Sequence, residues 1–138
     1  MTDTLVDTNV ILDVNGPASA WTAWSEENLA EAAEEGRVLV NQVIYAELSA
    51  GYGRREELDA ALTASQLRLE GVPWPAAFAA GLAFMQYRRH GGLRHSPLPD
   101  FFIGAHAAVL GYRLLTRDRG YYAAYFPTLK LISPEAHL

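Results

Sequence analysis

Short apolar runs alternate with longer amphipathic segments along this chain. Four runs are largely apolar and do not alternate with polar residues: 4–6, 37–40, 113–116 and 129–132. Such runs are typical of strands that are covered on both faces, as in a parallel sheet. Between them, apolar residues at helical spacing predict helices over 18–35, 43–48, 55–66, 76–89 and 101–110. Because parallel strands need crossover connections, this alternation predicts an α/β domain with a mainly parallel sheet.

Capping and breaking residues mark the ends of these predicted elements. Ser19 is the expected N-cap of the helix over 18–35, and Gly36 follows directly after it. Residues 91–99 are rich in glycine and proline and predict a loop, whereas the mixed pattern over 62–69 predicts no element. No repeat or linker divides the chain, so we expect one domain over residues 1–138.

Composition narrows the class of protein. The 138 residues are half hydrophobic, enough to bury a core, and they include no cysteine. A disulfide framework and a thiolate metal site are therefore excluded. The first residues lack the basic and apolar regions of a signal peptide, and no apolar stretch approaches the ~20 residues of a membrane span. We expect a soluble, cytoplasmic protein without a membrane partner.

Charge is divided unevenly along the chain, whose net charge is −5. Residues 1–87 hold 13 acidic and 4 basic side chains, whereas residues 88–138 hold 3 acidic and 7 basic ones. A basic region on an acidic protein indicates a contact with a polyanion, although a solvated basic face would give the same pattern.

Two aspartates occur where predicted strands end. Asp7 directly follows the run 4–6, and Asp118 comes just after the run 113–116. Ligand sites of open parallel sheets form outside the carboxyl ends of the strands, so both carboxylates are expected at that edge. Each could instead serve as a helix cap or a turn residue.

Two further acids lie on predicted helix faces that border the core. Glu47 shares its face with Val43, Ile44 and Leu48, so we expect it to be buried. A buried carboxylate without a partner requires a cation, a metal or a proton, and a salt bridge to arginine is the structural alternative. Asp100 stands at the first turn of the helix over 101–110, where capping is the alternative.

Together these four acids suggest a metal site. Converging carboxylates without cationic partners repel one another, and a hard divalent cation relieves that repulsion. Mg²⁺ or Mn²⁺ prefers oxygen ligands, whereas the histidine-rich spacing of a zinc site is absent. A water on such a cation can attack a phosphodiester. The candidate catalytic and metal-binding residues are Asp7, Glu47, Asp100 and Asp118.

Four segments, in order, resemble the acidic motifs of PIN domains, and the resemblance covers nearly the whole chain. Residues 6–13 resemble the opening motif, and 44–48, 99–107 and 114–118 resemble the second, third and fourth. The segment 125–134 is similar to the end of VapC-type toxins. The resemblance implies a three-layer α/β/α sandwich with a mainly parallel sheet of four to five strands.

The resemblance also implies a function. It indicates an endoribonuclease dependent on Mg²⁺ or Mn²⁺ that hydrolyses RNA through a metal-bound water, as the toxin of a type II toxin–antitoxin pair. The expected partners are RNA, a VapB-like antitoxin and a second copy of the chain in a homodimer. The basic residues expected to hold RNA are Arg88, Arg89, Arg94 and Arg117.

Roles within the site follow from the same resemblance. Asp7 and Asp100 correspond to the firmest metal ligands, while Glu47 and Asp118 would bind a second metal or hold its waters. The residues expected to orient these carboxylates by hydrogen bonds are Asn9 and Thr116.

Two other classes of function compete with the ribonuclease. One is a catalytically silent binding module in which the acids are structural. The other is a phosphoacceptor signalling domain, but the chain offers Thr8 instead of a second acid beside Asp7, and Asn41 ends the second strand. His106, within the third motif, is expected to be a structural histidine.

Overall fold

The computed structural model of the protein describes residues 2–92 and 98–134. Within these ranges the strands are β1 (Thr4–Val6), β2 (Val38–Val40), β3 (Leu67–Leu69), β4 (Arg113–Leu115) and β5 (Lys130–Ile132). The helices are α1 (Thr8–Asn15), α2 (Thr22–Glu35), α3 (Gln42–Ser49), α4 (Arg55–Ala64), α5 (Trp74–Arg89), α6 (Leu98–Leu110) and α7 (Gly120–Tyr125).

The five strands form one parallel sheet in the order β3-β2-β1-β4-β5. The chain first builds outward from β1 to β3, then returns to β4 on the other side of β1. With right-handed crossovers, this reversal places α1–α4 on one face of the sheet and α5–α7 on the other. The expected α/β fold with a parallel sheet between helices is confirmed.

The core lies around β1, β2 and α6. Every residue of β1 and β2 is buried, and Phe101 and Ile103 of α6 are completely inaccessible to solvent. Complete burial of a large apolar side chain stabilises the fold by about 1.5–3 kcal/mol. No helix within 2–92 or 98–134 combines the length and the apolar character needed to cross a bilayer.

The structure differs from the predicted pattern at several short elements. Helix α2 begins at Thr22, so the prediction of Ser19 as its N-cap was wrong: the Ser19 hydroxyl accepts a hydrogen bond from the Trp21 amide in a turn before the helix. The helices α1 and α7 and the edge strand β3 were not predicted. In β3 only Leu67 is buried, which explains why its sequence has no clear strand pattern.

Candidate active site

The acidic residues meet where the strand order reverses. Asp7 follows β1 and Thr116 follows β4, and these two strands are neighbours in the sheet. The point of reversal in an open parallel sheet leaves a crevice at the carboxyl ends of the strands. Here the crevice is an open cleft of about 220 Å³ lined by Asp7, Thr8, Asn9, Leu12, Glu47, Asp100, Asp118 and Tyr122. All four predicted acids therefore border one cleft.

Asp7 forms the floor of this cleft, since only 6% of it is exposed. It is the N-cap of α1, and its Oδ1 accepts a hydrogen bond from the Thr8 amide at 2.8 Å. Its Oδ2 accepts from the hydroxyls of Thr116 at 2.8 Å and Tyr122 at 3.1 Å. Burial raises the pKa of Asp7, while these hydrogen bonds act against the rise.

Thr116 and Asn9 connect Asp7 to the loop that carries Asp118. Besides donating to Asp7, the Thr116 hydroxyl accepts from the Asp118 amide at 3.0 Å and from Asn9 Nδ2 at 3.3 Å. Asn9 Oδ1 in turn accepts from the Arg117 amide at 3.2 Å. The two residues expected to orient the carboxylates thus join α1, which contains Asn9, to the loop after β4, which begins with Thr116.

Asp100 lies in the first turn of α6 and is half-buried. Its pKa is raised to about 6, first by burial and then by the negative charges of Asp7, Glu47 and Asp118. The neighbouring Tyr122 hydroxyl, whose hydrogen is donated to Asp7, acts against this rise in the pKa of Asp100. The four carboxylates are therefore close enough to repel one another.

Glu47 is exposed, so the expectation that it would be buried was wrong. The buried stripe of α3 is narrow and consists of Ile44 and Leu48, and Glu47 lies outside it, on the cleft. Its Oε1 accepts a hydrogen bond from the Thr8 hydroxyl at 2.5 Å. Burial therefore does not force Glu47 to take a cation, although its side chain lies beside the other acids of the cleft.

Asp118 is also exposed, at the entrance of the cleft. The following Gly120 has a positive φ of 31°, and a Cβ there would lie 3.0 Å from Asp118 Oδ1. A side chain at residue 120 would therefore crowd this carboxylate, which gives the glycine after the fourth motif a physical reason.

The donors of the cleft suit a hard divalent cation by their chemistry. No arginine, lysine or histidine within 2–92 and 98–134 forms an ion pair with any of the four acids. Oxygen ligands with excess negative charge are what Mg²⁺ and Mn²⁺ prefer. The same described residues, however, include no three acidic or histidine side chains already gathered to hold one ion.

Tyr122 is a cleft residue that the sequence reasoning missed. It is 3% exposed, and burial together with the charge of Asp7 raises its pKa, so its hydroxyl remains a proton donor. Gly104 of α6 makes room for this part of α7, because a Cβ there would lie 2.7 Å from the Phe126 ring and 3.1 Å from Tyr122. A glycine within an apolar helix is the one sequence signal that could have indicated such close packing.

The basic residues expected to hold RNA have different surroundings. Arg88 and Arg89 are exposed at the end of α5, and Arg94 lies outside the described residues. The Arg117 guanidinium forms two hydrogen bonds with Asp13, at 2.6 and 3.2 Å. The contact of these arginines with RNA stays a prediction. Arg117 would have to contact RNA while its guanidinium is paired with Asp13.

His106 is completely buried and does not line the cleft. Its Nδ1 lies 3.1 Å from Asn41 Nδ2, and its Nε2 lies 3.0 Å from Glu70 Oε2. Because the amide nitrogen of Asn41 can only donate, Nδ1 accepts and Nε2 carries the proton that Glu70 accepts. Burial lowers the pKa of His106, so the ring is a neutral structural link, as expected.

Comparison with known proteins agrees with this geometry. The sequence profile of the PIN domain matches residues 4–127, while no curated protein is similar enough to count as a match. The fold is similar to a chain in the crystal structure of VapBC2 from Rickettsia felis bound to a promoter DNA fragment (TM-score 0.73, 18% identity, 97% of this chain and 100% of that one covered). It is also similar to a chain of VapBC-1 from nontypeable Haemophilus influenzae (TM-score 0.69, 19% identity, 96% and 98% covered) and of FitAcB from Neisseria gonorrhoeae (TM-score 0.63, 21% identity, 93% and 95% covered). These identities show the shared fold alone, whereas the profile match extends over most of the chain, which therefore belongs to the PIN-domain family.

Proposed function

We propose that this protein is an endoribonuclease dependent on Mg²⁺ or Mn²⁺ and the toxin of a toxin–antitoxin pair. The observation that carries the proposal is the cleft at the β1–β4 reversal, bordered by four acids that no described cation neutralises. Such a site is suited to a divalent cation and to a phosphodiester, whose own negative charge the acids alone would repel.

Each residue has a distinct task in this proposal. Asp7 and Asp100 would hold the cation, with Glu47 and Asp118 binding a second ion or its waters. A bound divalent cation would supply positive charge to the scissile phosphate and activate a water for in-line attack. Tyr122 fixes the Asp7 carboxylate through its hydrogen bond, so that this oxygen ligand needs no rearrangement.

Cleavage of structured RNAs with and without EDTA tests the proposed activity. Asp7→Asn and Asp100→Asn should abolish cleavage while the far-ultraviolet circular dichroism is unchanged. Asp3→Asn is the matched control, since Asp3 pairs with Arg37 outside the cleft. Cleavage that survives complete removal of metal would contradict the mechanism. Sequencing of RNA 5′ ends after induction of wild type and Asp7→Asn would identify the target.

One observation favours the silent binding module as a second candidate: the described residues hold no ready-made three-ligand site. Thermal melts with and without Mg²⁺ distinguish the two functions, because an ion that binds the folded state raises its stability. The nuclease predicts a melting temperature that rises with Mg²⁺ in wild type and not in Asp7→Asn. The silent module predicts no rise in either protein and loss of stability in the variant.

The partner we propose is a VapB-like antitoxin. The similar chains come from structures described as VapBC and FitAcB, and a further similar chain comes from one described as a toxin–antitoxin complex from Klebsiella pneumoniae. An antitoxin that neutralises the cleft would place a basic side chain near its carboxylates. Co-purification with the product of a neighbouring reading frame, lost or weakened in a Glu47→Gln/Asp118→Asn double variant, would support this partner.

We also propose that the protein forms a homodimer. One face of α5 is apolar and exposed: Trp74 (86%), Phe78 (71%), Leu82 (50%) and Met85 (50%). An exposed apolar stripe of this size is characteristic of an interface. Light scattering should give a dimer for wild type and a monomer for Phe78→Glu, and a monomeric wild type at high concentration would refute this assembly.

A further inference from the structure

Arg117 occupies an unusual place for a residue next to a proposed catalytic acid. It directly precedes Asp118, yet its guanidinium is paired with Asp13 of α1, through Nε at 2.6 Å and an NH2 contact at 3.2 Å. Its Cζ also lies over the ring of Trp21, 5.3 Å from the ring centroid, within the range of a cation–π contact. The side chain is thus held by two partners from the segment that follows β1.

Asp13 is held just as firmly. Only 7% of it is exposed, and its Oδ2 also accepts a hydrogen bond from the buried Ser25 hydroxyl at 2.7 Å. Removing an ion pair from water is costly unless its geometry and its further hydrogen bonds are good. This pair satisfies both conditions, so its carboxylate and guanidinium are fixed relative to each other.

The pair acts between the two sides of the cleft. Helix α1 carries Asp7 at its N-cap and Asp13 in its second turn, while the loop after β4 carries Thr116, Arg117 and Asp118. The hydrogen bond from Thr116 to Asp7 joins the first turn of α1 to this loop. The ion pair joins the second turn to the same loop, so α1 is attached at two points.

We propose that Asp13 and Arg117 are positioning residues that set the separation of the Asp7 and Asp118 carboxylates. The exposed Asp118 side chain forms no ion pair with a described residue, so its place depends on the backbone of its loop. The Arg117 guanidinium donates two hydrogen bonds to Asp13, and the Arg117 backbone amide donates one to Asn9 Oδ1. These three bonds fix the backbone one residue before Asp118. This inference rests on the proposed metal-dependent nuclease.

An RNA contact by Arg117 is the competing role. Two of its donors already bind Asp13, and its Cζ lies over the Trp21 ring. Replacement of a phosphate-binding arginine would weaken RNA binding and its salt dependence, and loss of Asp13 would leave them unchanged. A positioning pair behaves differently: Asp13 and Arg117 hold the loop only together, so loss of either one should impair cleavage to a similar extent.

The test compares Asp13→Asn and Arg117→Gln with Asp3→Asn and Arg37→Gln. The control pair is also held by two guanidinium donors, both to Asp3 Oδ2 at 3.1 and 2.7 Å, but it joins neither α1 nor the loop after β4. We expect kcat for RNA cleavage and the affinity for Mn²⁺ without RNA to fall about 10–100-fold in both Asp13→Asn and Arg117→Gln. KM should change by less than about 2-fold, and the double variant should lose no more than the worse single one. The controls should lower only the urea midpoint.

Other results would contradict the positioning role of Asp13 and Arg117. If Arg117→Gln raises KM and weakens the salt dependence while Asp13→Asn does not, Arg117 is an RNA contact. If kcat and Mn²⁺ affinity stay at the wild-type values, the pair only stabilises the fold. If wild type neither cleaves RNA nor binds Mn²⁺, the proposed function fails and the inference with it. Should Arg117→Gln misfold by near-ultraviolet circular dichroism, Arg117→Lys takes its place, and full activity in that variant would refute the need for two-point attachment.

Discussion

Thr116 donates its hydroxyl hydrogen to Asp7 Oδ2 at 2.8 Å, across 109 residues of sequence. Both residues follow directly after strands, β4 and β1, which pair in parallel at the centre of the sheet. The register of two buried strands therefore sets the distance between these side chains. A floor carboxylate fixed in this way keeps its orientation whether or not a ligand is present.

Replacement of Thr116 by valine should destabilise the protein. The isosteric side chain keeps the volume but leaves the buried Asp7 carboxylate with one donor fewer, which costs about 1–3 kcal/mol. Urea unfolding measures this loss, and Thr116→Ser, which retains the hydroxyl, should lose clearly less. Equal losses in the two variants would show that the methyl group, and not the hydrogen bond, matters at this position.

Stability without metal should depend on pH through Asp100. Its folded-state pKa is raised to about 6 from 3.8, so the folded protein holds this proton more tightly than the unfolded chain. The contribution is complete below pH 3.8 and is lost as the pH rises through 6. Asp100→Asn should therefore raise the free energy of unfolding at neutral pH, on the order of 2 kcal/mol, and change it little near pH 4.

Urea unfolding in EDTA at the two pH values measures this effect. Glu27→Gln, which removes an exposed carboxylate from α2, controls for the general benefit of a lower negative charge. A gain at neutral pH as large in the control as in Asp100→Asn would mean that net charge, and not the repulsion inside the cleft, limits stability.

His106 should produce a pH dependence of the opposite sign. Burial lowers its folded-state pKa below the usual 6.5, so the unfolded chain takes up the proton first. Its contribution to stability is complete above pH 6.5 and is lost as the pH falls through the lowered pKa. His106→Gln should lower stability at neutral pH but make the decline between about pH 7 and pH 5 shallower than in wild type.

The exposed His90 provides the matched control for that series. Urea midpoints of wild type, His106→Gln and His90→Gln across this pH range separate the buried histidine from the general effect of losing one. If the decline is as steep in His106→Gln as in wild type, the acid sensitivity arises from other groups.

Much of the sheet and of the acidic cleft could be predicted from the sequence because the signals are local. Continuous apolar runs mark four of the strands; Asp7 directly follows the first of these runs, and Asp118 comes two residues after the run 113–116. Parallel pairing then brings the ends of such strands to one edge without any knowledge of side-chain contacts.

What could not be predicted depends on distant contacts or on short elements. Tyr122 reaches Asp7 across 115 residues, from a helix of six residues that has no periodic pattern of its own. The exposure of Glu47 depends on how narrow the buried stripe of α3 is, which the packing of neighbouring helices decides. Likewise, the partner of Arg117 is Asp13, and a separation of 104 residues gives no signal in one sequence.

Two glycines in helices should respond in opposite ways to alanine. Gly104 of α6 faces Phe126 so closely that a Cβ would lie 2.7 Å from its ring, whereas nothing lies within 4 Å of the same atom at Gly81 of α5. Overpacking typically costs about 1–3 kcal/mol, so Gly104→Ala should lower the urea midpoint and displace Tyr122 from Asp7. Gly81→Ala should raise stability by about 0.5–1 kcal/mol, because alanine favours the helix and meets no neighbour.

The two glycine variants also distinguish an effect on stability from an effect on the geometry of the cleft. In Gly104→Ala the displaced Tyr122 would no longer donate to Asp7, so Mn²⁺ affinity and RNA cleavage should fall together with stability, whereas Gly81→Ala should leave both unchanged. A double variant with Gly81→Ala would recover part of the lost stability, about 0.5–1 kcal/mol, since the two sites lie on different helices and their effects should add. If this double variant also recovered cleavage, the loss in Gly104→Ala would come from unfolding and not from the position of Tyr122.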